Sequence, residues 1–193
     1  MNIPIQPILF SIPSIIYVFF QRRRKLDWNL IFKNIGLKGT QAKYMAIGLG
    51  MGLLTGILTL LLSNILLGDI LNQPNIAQSV YAEWPLGVSS FLLAFLREAV
   101  YVALGEEIFF RGFLGKLLFR KLGFTAGNLI QSIVFLLPHL LLLTISLQLW
   151  PLLIAQFIGG WISGWLCYRS DSILPSWFAH SLGNAFGALI FMV

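Results

Sequence analysis

Residues 105–112 read GEEIFFRG and set Glu106, Glu107 and Arg111 close together in a chain that is 58% hydrophobic and only 10% charged. A charge at the centre of a membrane span costs about 2.5–3.5 kcal/mol on insertion scales, so two carboxylates and a guanidinium in such a setting mark a site or a clamp. On an α-helix, residues 107 and 111 share a face, whereas residue 106 lies about 100° round from residue 107. Arg111 can therefore neutralise Glu107 and leave Glu106 for chemistry. A carboxylate held among apolar groups suits a general base that takes a proton from water. The structural alternative is that all three charges only fix the helix.

The chain has two histidines, His139 and His180, and both fall in apolar stretches. Pro138 directly precedes His139; it removes a backbone hydrogen bond and should kink its helix beside the ring. In LPSWFAHSLGNAFGALIF, His180 and Asn184 stand four apart and face the same way. Either histidine alone is accounted for by a hydrogen bond to a neighbouring helix. Both together, alongside Glu106, point to a catalytic set.

These side chains need membrane helices to position them. A mean hydropathy of +0.84 and long uncharged runs describe an integral membrane protein. The expected fold is an all-α, polytopic membrane bundle of about six transmembrane helices, over residues 3–20, 44–67, 86–110, 124–145, 151–168 and 174–193. Pro4, Pro7 and Pro13 make the first of these irregular or kinked. Its basic cluster, Arg22 to Lys25, follows the apolar stretch, so it reads as a retained span and not a secretory signal. Gly159, Gly160, Ser163 and Gly164 give the fifth span a close-packing face.

Thirteen basic residues give a net charge of +6. Seven lie between Arg22 and Lys43, and Lys116, Arg120, Lys121 and Arg169 fall in connections that alternation puts on the same side. That asymmetry predicts a cell-membrane protein with its N-terminus outside and its basic loops in the cytosol. Residues 26–43 mix Trp28, Leu30, Ile31, Phe32 and Ile35 with lysines, and 113–122 do likewise. Such segments lie on an anionic leaflet, so the charge calls for lipid and no nucleic acid. Arg97, beside Glu98, has no evident partner and is expected to snorkel to the outer interface. The one cysteine, Cys167, excludes an intramolecular disulfide and a thiolate metal cluster.

Depth permits convergence. At 1.5 Å per residue Glu106 lies about 15 Å before Lys116, His180 about 15 Å after Arg169, and His139 about 20 Å into its helix. All three can meet in the cytosolic half of the bilayer.

The run Glu106-Glu107-x-x-x-Arg111, then Phe135-x-x-x-His139, then His180-x-x-x-Asn184 resembles the three signature motifs of the CAAX protease and bacteriocin-processing (CPBP, or Abi) intramembrane proteases, which include the type II CAAX prenyl endopeptidases. The similarity runs from about residue 86 to the C-terminus, which divides the chain into N-terminal helices with an amphipathic linker (1–85) and a protease-like core (86–193). The resemblance implies an intramembrane endopeptidase acting on a membrane-tethered peptide or protein, of prenylated CAAX or bacteriocin type. It implies that Glu106 and His139 activate water, that His180 and Asn184 stabilise the oxyanion, and that Glu107 and Arg111 are structural support. Zinc or another divalent metal on Glu106, His139 and His180 is the competing use of the same residues; the contiguous His-Glu-x-x-His helix of common zinc proteases is absent from the sequence. Two other classes use the same polar residues: a catalytically silent membrane interaction or immunity protein, and a small transporter with a proton relay.

Overall fold

The computed structural model describes residues 5–66 and 80–193, and every regular element among them is a helix. In order these are α1 (Ile5–Arg23), α2 (Trp28–Asn34), α3 (Ala42–Leu66), α4 (Val88–Glu98), α5 (Leu104–Glu106), α6 (Lys116–His139), α7 (Leu142–Ile145), α8 (Trp150–Ser170) and α9 (Leu174–Leu189). Two wider, π-helical stretches, Ala99–Ala103 and Glu107–Gly115, flank α5 without breaking the run. Residues 3 and 4 of the first expected span and residue 67 of the second lie outside the described residues.

Three stretches among the described residues are long and apolar enough to cross a membrane: Ala42–Leu61, Val88–Ile145 and Leu147–Ser170. The second takes in both the third and the fourth expected spans. Straight, its 58 residues would run roughly 87 Å, nearly three hydrocarbon thicknesses, so it has to fold back. It does so at Gly123, whose φ of 75° is one that glycine adopts at little cost. At Gly127 a Cβ would stand 2.9 Å from the Leu118 carbonyl carbon, so only glycine fits where the two arms meet. The basic segment 113–122 is the approach to this turn. α1 continues as helix through Pro13, so of the two expectations for this span, irregular or kinked, the first does not hold there. It and the sixteen-residue α9 are not among the three qualifying stretches.

Two seams hold the bundle together. Gly48, Gly52 and Gly56 recur every four residues along α3, and a Cβ at each would come within 3.0 Å of Pro175, Ala179 and Phe186 on α9. This small-residue stripe lets two helix backbones approach closely and locks the helix that carries His180. The expected packing face on α8 meets α6: Gln131 donates to the Gly160 carbonyl at 2.9 Å and Asn128 to the Trp161 carbonyl at 3.1 Å. Both amides are fully buried, where an unpaired polar group would be costly, and each pairs across the seam. α1 closes a third side, with Phe10 against Phe109 and Phe110 and Ser14 donating to the Ile108 carbonyl.

Candidate active site

The acidic motif sits where the helix changes pitch. Glu106 ends α5 and Glu107 opens a nine-residue π-helical stretch. Insertions of this kind displace side chains from α-helical register and leave carbonyls in need of other donors, and they are frequent at functional sites. Here the Trp177 indole donates to the Ala99 carbonyl at 2.8 Å, and the Cys167 thiol lies 3.7 Å from the Arg111 carbonyl. Both contacts tie the π-helical stretches to the helices that pack against them.

Arg111 and Glu107 form the expected four-apart ion pair, 3.1 Å apart, with side chains 1% and 0% exposed. Glu106 does not point away from that pair as a uniform α-helix would have it. His180 meets both carboxylates, with Nδ1 3.0 Å from Glu107 Oε1 and Nε2 3.8 Å from Glu106 Oε2. An imidazole has a nitrogen on each edge, so a single ring can lie between adjacent glutamates. The shorter contact makes Nδ1–H the donor to Glu107 and turns Nε2 towards Glu106.

Phe135 forms the floor of this cluster. The Arg111 guanidinium lies 4.1 Å from its ring centroid, the His139 ring 4.7 Å and the His180 ring 6.1 Å. His139 Nδ1 is 2.9 Å from the Phe135 carbonyl, the acceptor four residues back in its own helix. That contact fixes Nδ1 as the protonated nitrogen of the neutral ring and leaves Nε2 as an acceptor. Both Glu106 and His180 lie close enough to act on His139 electrostatically.

Asn184 lies one turn beyond His180 and belongs to a second polar cluster. Its amide nitrogen donates to Glu98 Oε2 at 3.1 Å. Glu98 is buried, and its other oxygen accepts from Tyr81 at 2.5 Å and from Arg97 at 3.1 Å. Arg97 therefore has partners, against the lone snorkelling side chain expected, because Tyr81 comes from the preceding loop and its ring lies under the guanidinium. Sequence reasoning passed over Glu98 as a functional residue. Its signal was present in its rarity as a carboxylate in an apolar run.

A metal reading requires three ligands on one centre. Among the described residues, no three His, Cys, Asp or Glu side chains are grouped so that they could hold an ion. In the set Glu106, His139 and His180, the Phe135 carbonyl and Glu107 each engage an Nδ1, which leaves the Nε2 atom of both rings for other contacts.

A family model described as type II CAAX prenyl endopeptidase Rce1-like matches residues 88–186, just over half of the chain. The match takes in both polar clusters apart from Tyr81. No curated protein and no solved structure gives a match.

Proposed function

The chain belongs to the type II CAAX prenyl endopeptidase Rce1-like family, a family of proteases with membrane-associated protein substrates, and from that premise we propose that it hydrolyses a peptide bond near the C-terminus of a prenylated, membrane-tethered substrate. The observation that carries this reading is the buried cluster of Glu106, Glu107, Arg111 and His180, closed underneath by Phe135.

In the proposed reaction Glu106 takes a proton from water, with His139 Nε2 accepting the water's other hydrogen and orienting its lone pair. The hydroxide attacks the scissile carbonyl. Negative charge develops on that oxygen, and the second Asn184 N–H donates to it together with Nε2–H of a His180 ring protonated on both nitrogens, its Nδ1–H held by Glu107. Glu106 then returns its proton to the amine as the carbon–nitrogen bond breaks, so the products are a carboxylate and a new N-terminus. Glu107, neutralised by Arg111, holds the His180 ring through Nδ1. Glu98 takes one amide hydrogen of Asn184 and thereby fixes the direction of the other. No step is routed through a metal. The basic loops favour a cytosolic active-site face in the cell membrane.

The test is cleavage of a prenylated CAAX peptide by the purified protein in liposomes, with and without chelator. Wild-type turnover that survives chelation and is lost in Glu106→Ala and His139→Ala supports the reading. Cleavage by both variants at the wild-type rate overturns it.

A further inference from the structure

The basic end of the bundle contains a cavity whose lining shares no residue with the catalytic set. Its volume is about 670 Å³, and its walls come from the end of α2, the start of α3, the start of α6 and the end of α8. Lys33, Lys116, Arg120 and Arg169 line it, against a single carboxylate, Asp171.

That carboxylate is already spent. Asp171 follows α8 in a left-handed conformation (φ 54°) and is paired with both Lys38 and Lys116. Burial alone would push its carboxyl up, but the hydrogen bonds from Lys116 and Lys38 outweigh this and hold it below the ordinary carboxylate range. Lys116 is committed further, donating to the Lys33 carbonyl at 2.9 Å and the Asp171 carbonyl at 3.2 Å. Lys33, Arg120 and Arg169 are left with no acidic partner among the described residues, and the only hydrogen bond any of their side chains donates there runs from Arg120 to the Asn34 carbonyl. Like charges gathered round one recess repel one another, and an anion between them relieves that repulsion.

The remaining walls narrow the class of anion. Phe119 and Tyr168 pack edge to face at 5.5 Å and give the recess an apolar side next to its cations. The volume far exceeds what one inorganic ion fills. We propose that this cavity binds a phosphate-bearing headgroup of an anionic membrane lipid, with Lys33, Arg120 and Arg169 on the phosphate and the aromatic side against the glycerol and acyl stem. Basic recesses between membrane helices on the anionic leaflet suit such headgroups.

The probe is short-chain phosphatidylglycerol added to the intact protein in neutral detergent at low salt, read as a shift in unfolding temperature. Phosphatidylcholine and inorganic phosphate are the parallel arms. Phosphatidylglycerol should raise the unfolding temperature, and Lys33→Gln with Arg169→Gln should cut that rise by at least half. Both residues are exposed, so the double variant should fold. The control Arg23→Gln with Lys43→Gln removes the same charge outside the cavity walls and should keep the full shift. Equal stabilisation by inorganic phosphate overturns the lipid assignment and leaves a soluble anion as the occupant. The proposal is overturned by no shift with phosphatidylglycerol or an equal shift with phosphatidylcholine. A control pair that loses as much of the shift as the cavity pair also overturns it.

Discussion

At Glu98 a single buried carboxylate is met by three donors, from Tyr81, Arg97 and Asn184, while one turn of α9 away Glu106 and Glu107 crowd round one guanidinium and one imidazole. The two clusters use the same kinds of residue along the same helices. Their stoichiometry differs. Where donors outnumber carboxylates, negative charge is fully compensated and the group acts as an anchor. Where carboxylates outnumber fixed cations, there is capacity to take up a proton. The clusters also differ in access: the Arg97 side chain is 35% exposed and connects its cluster to the surface, whereas Arg111 is sealed at 1%. On the proposed function, the first cluster orients and the second reacts.

Several substitutions bear on that difference, and the largest effect is expected at Glu106. Replacing it with alanine should lower turnover of a prenylated peptide by about 10²–10⁴-fold, the usual contribution of a general base. The protein should remain folded and inserted, as read by circular dichroism and detergent extraction. Arg111→Met should act on the fold instead. It removes the cation paired with the fully buried Glu107, at about 3–5 kcal/mol, and should show as a large drop in unfolding temperature. If Glu106→Ala unfolds the protein as Arg111→Met does, the acidic motif is a clamp and the contrast between the clusters disappears.

Asn184→Ala tests the link between them. Loss of one oxyanion donor should reduce kcat by about 10²–10³-fold with KM little changed. A KM effect without a kcat effect would leave Asn184 as a strut for Glu98. The smallest of these effects is expected for Tyr81→Phe, which removes one hydrogen bond to a charged acceptor and should cost about 1.5–3 kcal/mol of stability by thermal unfolding. Its turnover once folded should stay near that of the wild type.

Much of this was legible in the residues themselves. The Glu107–Arg111 pair follows from helical spacing, and the helical membrane class from hydropathy, since both rest on local periodicity. The close-packing glycines of α8 were visible for the same reason. The GxxxG stripe at Gly48, Gly52 and Gly56 was equally present, but what it packs against depends on tertiary pairing with α9. The π-helical register was not legible, because it arises where side chains such as Trp177 satisfy displaced carbonyls. Glu106 and Glu107 both reach His180 at the junction of α5 with the following π-helical stretch. The partners of Arg97 and Asn184 were hidden for another reason. Tyr81 approaches from a loop, and Glu98 sits eighty-six residues from Asn184 in the chain.

The most direct test puts Glu106→Gln and Glu98→Gln side by side in one liposome cleavage assay with a prenylated peptide. Both changes remove one carboxylate charge and keep the side-chain shape. The account predicts that Glu106→Gln lowers turnover by about 10²–10⁴-fold, while Glu98→Gln stays within about tenfold of the wild type, the scale of one weakened hydrogen bond. Turnover by Glu106→Gln at the wild-type rate, or equal loss in both variants, would contradict it.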